Sequence, residues 1–388
     1  MNGRERLTTT LQGRRADRVP VAPFLYFNSV YEMFQHKPEI ETFWEPPDFD
    51  PIKKFVEYCD HFGFDVLHTL GSVWDFGMST FFDRSLVASG ENWNVKINDE
   101  RKADEVHRTV TIRTPGGDLR FSENYRKSST YLIVSAPDEH IIKTRNDFEL
   151  LRKYGPSGDD IDCSPIRRAR EAVGDKGLVD TNTGGAFATL NAFRKLDELF
   201  QDPFADEGFF REMMEYSVER TIRRDRKMIA AGADIIEMAG HLVGSMAGPH
   251  FASTYVMEYE QRIARAVRDM GALVIFHNCG DAAKVMHLYN GLEINCWGYL
   301  TPPPFADVDL DEALRVMRPD MALRGNVDQV EFLRKAKPSE IKEKVRDLLL
   351  KVKPRGNWIL STTDFFFDGT PYENIQAFAD AGREYGAY

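Results

Sequence analysis

The chain has 388 residues, of which 42% are hydrophobic and 29% charged, and its formal net charge is −11. That is enough material for one large α/β barrel or two ordinary domains around a sizeable core. The acidic balance excludes a general nucleic-acid binder and a protein held on an anionic membrane by charge, and no apolar run approaches the roughly eighteen residues of a membrane span.

At the N-terminus, Leu7 and Leu11 fit one face of a short amphipathic helix. Arg4, Arg6, Arg14 and Arg15 are interrupted by Glu5 and Asp17, and no apolar signal core follows. The four cysteines, Cys59, Cys163, Cys279 and Cys296, are scattered and do not form a disulfide framework. A reducing cytoplasm is the expected compartment.

Two strands are predicted first, over Val19–Leu25 and Phe64–Thr69. The pattern then breaks. Trp93–Ile97, Val106–Arg113 and Leu119–Phe121 alternate like antiparallel strands, with a hairpin turn at Pro115–Gly117. This predicts a small β insertion over residues 90–135, between strands two and three. From Leu178 onward short apolar runs alternate with helix-length segments. Strands are expected at Leu178–Asn182, Asp234–Glu237, Ala272–Phe276, Glu293–Trp297, Met321–Leu323 and Trp358–Leu360. Helices are expected at Ala205–Ala231, Phe251–Met270, Asp281–Tyr289, Leu310–Met317, from Asp328, Pro338–Val352 and Pro371–Tyr385. Eight β-then-α units predict a single (β/α)8 TIM barrel over residues 1–388, with an open doubly wound sheet as the alternative.

In such folds the site is assembled from the first residues after each strand. His277 and Cys279 follow the buried run Ala272–Phe276, and two residues apart they can chelate a borderline cation such as zinc. Strand four ends at Glu237, with His241 four residues further on, and Asp364 follows strand eight. Glu237, His277, Cys279 and Asp364 form the expected metal set, with Glu237, His277 and Asp364 expected in catalytic roles. The plainer reading is that Glu237 and His241 bond loop backbone and that Cys279 and Cys296 are small buried hydrophobes. Tyr26, Asn28, Trp74, Asn182, His241, Trp297, Asn326 and Phe365 are the expected substrate contacts. The aromatics among them, with Phe24 and Tyr299, either sandwich a flat ring or fill the mouth of the barrel.

Several motifs occur in one order: Arg6-Leu7, Gly13, Asp17-Arg18-Val19-Pro20-Val21, Gly232-Ala233-Asp234, His277-Asn278-Cys279-Gly280, Gly325-Asn326-Val327-Asp328, Ile359-Leu360-Ser361 and Thr370-Pro371-Tyr372-Glu373-Asn374. Together they resemble the uroporphyrinogen decarboxylase superfamily over nearly the whole chain, which implies a (β/α)8 barrel. True decarboxylases of that family carry an arginine-rich loop after strand one. Here that place reads Phe24-Leu25-Tyr26-Phe27-Asn28. The family's His-Gly after strand eight is replaced by Thr362-Thr363-Asp364. A tetrapyrrole with many carboxylates is therefore not the expected substrate.

The corrinoid-dependent methyltransferase branch binds zinc through His-x-Cys after strand five and a cysteine after strand eight. This chain matches the pair at His277 and Cys279 and departs at Asp364. The resemblance is best to the methyltransferase component of bacterial O-demethylases. It implies transfer of a methyl group from a methoxylated aromatic (a phenyl methyl ether) to the cobalt(I) of a separate corrinoid (cobalamin-binding) protein. A decarboxylase or lyase acting on a small acid is the alternative, and a non-catalytic binding module a third. The oligomeric state stays open, a homodimer included.

Overall fold

Seven parallel strands frame the molecule in a computed structural model that describes residues 1–72, 84–240 and 242–388. In chain order, β1 (Val66–Ser72) is followed by an antiparallel meander of β2 (Asn94–Lys102), β3 (Glu105–Thr114), β4 (Gly117–Lys127) and β5 (Ile133–Glu139). Then come β6 (Gly177–Gly184), β7 (Ile235–Ala239), β8 (Leu273–His277), β9 (Cys296–Gly298), β10 (Ala322–Val327) and β11 (Trp358–Thr362). The parallel sheet has the order β1-β6-β7-β8-β9-β10-β11, and the inserted sheet β2-β3-β4-β5. Among the described residues no helix is long and apolar enough to cross a membrane.

The first expected strand, Val19–Leu25, forms only an isolated bridge between Val21 and Leu360. Pro20 and Pro23 have no N–H to donate, so a ladder cannot run through this segment. What it makes joins the two edges of the sheet. Ala22 N–H donates to Leu360 O at 3.0 Å, Leu360 N–H to Pro20 O at 2.9 Å, and Asp65 N–H to Val21 O at 2.9 Å. Asp65 fixes the place: its carboxylate accepts from Val21 N at 2.9 Å, from Arg6 at 2.5 Å and from Arg18 at 2.9 Å. That explains why arginines flank this segment.

Inside the curl of the sheet, Ala22, Leu67, Leu178, Ile235, Ile275, Cys296, Ala322 and Ile359 form one apolar cluster with Leu7 and Leu11. The helix Gly3–Leu11, held by an Asn2–Glu5 capping box, plugs this end with its apolar face. A second core, between sheet and helices, takes the residues of opposite parity, such as Val179, Ile236, Val274, Trp297 and Leu323.

Three further expectations need correction. The strand expected over Glu293–Trp297 is shorter and later, Cys296–Gly298, and the side chain of Asn295 bridges Val274 N and Leu11 O. The segment expected as a helix over Asp281–Tyr289 is a turn followed by a 3₁₀ helix, Met286–Gly291, with Asp307 accepting from the backbone of Ala282 and Ala283. The inserted sheet has four strands, not three, and runs to Glu139. Its fourth strand, Ile133–Glu139, carries Pro137 and lacks clean alternation, which hid it. Val110, Ile112, Leu119 and Phe121 form the buried face of the insertion.

Candidate functional site

Two residues above the apolar plug, the same strands turn polar. Thr69, Asp180, Glu237, Arg324 and Ser361 follow the plug residues Leu67, Leu178, Ile235, Ala322 and Ile359 at the strand parity that faces inward. Glu237, Asp180 and Arg324 are fully buried. Glu237 is the hub. Its Oε1 accepts from His277 Nδ1 at 2.6 Å and from Asn182 Nδ2 at 3.1 Å. Its Oε2 accepts from Tyr299 O–H at 3.4 Å and lies 3.5 Å from Arg324 Nη1. Arg324 also donates to Ala22 O at 3.3 Å, and its guanidinium sits over the Tyr299 ring, 4.5 Å from the centroid.

These contacts sort the charges. Burial alone would raise the Glu237 carboxyl, but His277 and Arg324 outweigh it and hold it below its usual value. Burial raises the Asp180 carboxyl well above its usual value, and the Glu237 charge raises it further while Arg324 opposes the rise. Burial alone would lower His277; the charge of Glu237 and the neighbouring Cys279 reverse that and raise it well above its ordinary value. Burial also raises Asp364, with the positive charge of His277 opposing it.

Above this layer the walls are aromatic. His277 meets Phe24 edge-on at 5.4 Å and Tyr299 at 4.7 Å. Phe365 lies 6.4 Å from Phe24 and 5.6 Å from Tyr26, and Tyr26 packs against Phe43 and Trp44. Asp364, half-buried, accepts from Phe365 N at 2.8 Å. Thus Glu237, His277, Cys279, Asp364, Asn182, Tyr26 and Phe365 are brought to one place.

Other expected residues are not. Trp297 is fully buried on the outer face of β9, packed against Tyr289, because its strand parity is opposite to that of Cys296. Asn28 is fully buried with its amide donating to Phe366 O at 2.8 Å and to Asp368 at 2.9 Å, so it ties backbone together. Asn326, two residues beyond Arg324 on β10, lines a cavity of about 520 Å³ with Pro302, Pro303, Phe332 and Lys344. Trp74 and His241 lie outside the described residues. Sequence reasoning missed Asp180 and Arg324. The available signal was a charged residue at inward parity within or just after a buried apolar run.

Among the described residues no grouping of three or more His, Cys, Asp and Glu side chains could hold a metal ion. Glu237, His277, Cys279 and Asp364 share this mouth, but their side chains as placed do not make such a grouping. Glu237 is committed through both oxygens, and Nδ1 of His277 is committed to Glu237.

A family model described as "Uroporphyrinogen decarboxylase (URO-D)" matches residues 134–385. A uroporphyrinogen decarboxylase of Anaeromyxobacter dehalogenans is 25% identical over 63% of this chain and 70% of its own length. The methylcobamide:CoM methyltransferase MtbA of Methanosarcina acetivorans is 20% identical over 64% of this chain and 70% of its own. In fold the chain is similar to a methyltransferase from Methanosarcina mazei, at a TM-score of 0.69 and 16% identity over 99% of both chains.

Proposed function

The chain belongs to the uroporphyrinogen decarboxylase family, and from that premise we propose that it is a methyltransferase moving a methyl group from a methoxylated aromatic to the cobalt(I) of a corrinoid protein, on a (β/α)8 barrel whose first strand is reduced to residues 20–22. The observation that carries this reading is the aromatic-walled mouth with one oriented imidazole at its floor. Glu237 holds Nδ1 of His277 at 2.6 Å, which fixes the orientation of the ring. Phe24, Tyr26, Phe365 and Tyr299 offer faces and edges to a flat ring. The guanidinium that approaches this cluster, Arg324, is buried and engaged, so a substrate with many carboxylates finds no counterpart in it. Curated relatives of both kinds exist, decarboxylases and methyltransferases, and this mouth favours the second.

In the proposed reaction the bond between methyl carbon and ether oxygen breaks, the methyl passes to the cobalt of the partner, and the bonding electrons stay on the oxygen. A phenolate is a poor leaving group, so the enzyme's part is alignment and proton supply. His277 donates from Nε2 while Glu237 stabilises the charge the ring carries, and the raised Asp364 carboxyl is a second donor within the same mouth.

The test is methyl transfer from guaiacol or vanillate to cobalt(I) cobalamin, followed by the cobalt absorbance. His277→Ala is expected to lower the rate by about 10²-fold, the lower end of the range for a general acid, and Asp364→Ala by less, about tenfold, as the secondary donor. Unchanged rates in both variants overturn the reading. Decarboxylation of a small acid with no methyl transfer supports the alternative.

A further inference from the structure

Four residues beyond Asp364, one carboxylate joins three parts of the chain that are far apart in sequence. Asp368 Oδ1 accepts from Asn28 Nδ2 at 2.9 Å. Its Oδ2 accepts from the backbone N–H of Tyr131 at 3.1 Å and from the Ser129 hydroxyl. Ser129 Oγ in turn accepts from Leu132 N at 3.1 Å, so the turn between β4 and β5 is folded around this one acceptor. Neighbouring bonds hold the same loop at other points: Asn28 Nδ2 donates to Phe366 O at 2.8 Å, and Gly369 N to Glu32 Oε1 at 2.8 Å.

The loop so held carries Asp364 and Phe365. Phe365 packs on Tyr26 and Phe24, and Phe24 on His277. A displacement of the loop therefore moves the ring that forms one wall of the mouth and the carboxyl beside the imidazole. The turn residues Tyr131 and Leu132 are buried against the body of the protein, and Tyr131 O–H donates to Gln35 Oε1 at 3.2 Å. Asp368 itself is only half-buried. A carboxylate is the side chain suited to several converging donors, because it accepts at both oxygens and donates from neither.

We propose that Asp368 is a positioning residue that clamps the β4–β5 turn onto the loop carrying Asp364 and Phe365, so that the inserted sheet sets the width of the aromatic mouth and selects the methyl donor by size. This rests on the methyl-transfer reading of the mouth. The insertion thereby acts on the site through Asp368 without reaching the reacting atoms.

The test pairs two readouts on the full chain for Asp368→Ala, Asp368→Asn and Ser129→Ala. The first is hydrogen exchange by mass spectrometry. In Asp368→Ala, exchange is expected to rise about tenfold in residues 128–132 and 363–367 together, with smaller rises in both segments for Asp368→Asn and Ser129→Ala. The second is donor kinetics with cobalt(I) cobalamin, using guaiacol and the bulkier 3,4,5-trimethoxybenzoate. Asp368→Ala is expected to raise KM for guaiacol about tenfold with kcat within about threefold, and to shrink the preference for the smaller donor. Exchange that rises at 128–132 alone overturns the clamp, as does an equal change in kcat for both donors with KM unmoved. Should the unaltered protein transfer methyl from neither donor, the reading of the site falls by itself, and the exchange result still decides the clamp. Ser129→Ala, a small change at a half-buried position of the turn, keeps the test valid if the Asp368 variants fold poorly.

Discussion

The interior of the curled sheet holds two layers that differ by two residues per strand. Leu178, Ile235, Ala322 and Ile359 form the lower one, and Asp180, Glu237, Arg324 and Ser361 the upper. Two residues are about 6.6 Å of strand. Over that distance the chemistry passes from interchangeable apolar filling to groups that must be matched one by one. The lower layer needs only volume and is closed by Leu7 and Leu11. The upper layer is matched at Glu237 and incompletely elsewhere: Nε of Arg324 and Oδ1 of Asn182 are buried without a hydrogen-bond partner among the described residues. A layer selected for stability alone would be cheaper apolar, so the polar one points to chemistry at the open end.

The largest effect that can break this comparison is at Arg324. Arg324→Met leaves Glu237 and Asp180 without a buried cation beneath the imidazole, and is expected to cost about 3–5 kcal/mol of stability together with most of the methyl transfer. Ile235→Ala, two residues before Glu237, is expected to cost about 3 kcal/mol by opening a cavity, with transfer per folded molecule unchanged. Denaturant midpoints and specific activity of the folded fraction separate the two. Equal losses of activity would mean that the layers are not distinct.

A buried carboxylate outside the sheet sharpens the point. Glu260, on the helix Met257–Asp269, is as buried as Glu237 but has no cation beside it among the described residues; it accepts from the backbone N–H groups of Ala186 and Phe187 at 3.0 and 3.2 Å. Burial pushes it up to about 7 despite those bonds, whereas His277 and Arg324 hold Glu237 down. A raised carboxyl binds its proton more tightly in the folded state than in the unfolded one. Its contribution to stability is therefore complete below about pH 4.5 and falls as pH rises to about 7, by up to about 3 kcal/mol. Glu260→Gln is expected to remove that part of the slope, so the difference in denaturant midpoint between the two proteins shifts in favour of the variant from pH 4.5 to pH 8. A constant difference across that window would show that Glu260 is ionised throughout.

Much of this arrangement is legible in the sequence, for reasons that can be named. His277, Cys279, Glu237 and Asp364 share one mouth because residues near the carboxyl ends of buried strands meet at one rim, whatever their separation along the chain. Asp180 and Arg324 are missed because attention to strand ends ignores inward positions lower down, where a charge interrupts an apolar run. Trp297 is misplaced because the strand it ends in the sequence reading is shifted: with Cys296 facing inward, its neighbour must face out. Asn28 looks available from its position after the first segment, but its partners Phe366 and Asp368 are known only once the chain has folded. The first strand fails at Pro20 and Pro23, visible in the sequence and given too little weight against the apolar run around them.

The smallest effect is the most discriminating, because it compares two residues of β11 at equal cost. Ile359→Val removes one methylene from the lower layer and is expected to cost about 1 kcal/mol. Ser361→Ala removes the oxygen that accepts from Phe24 N at 3.1 Å, leaving a buried N–H unsatisfied, also at about 1 kcal/mol. In thermal unfolding the two variants should be hard to tell apart. Phe24 stands edge-on to His277, however, and its backbone is fixed to β11 by that hydroxyl, so only Ser361→Ala disturbs the ring that bounds the imidazole. A threefold to tenfold fall in methyl transfer is expected for Ser361→Ala and none for Ile359→Val, about 1 kcal/mol in the barrier at equal stability. If both variants keep full activity, the upper layer reaches its influence no further than Glu237, and the wall formed by Phe24 is packing alone.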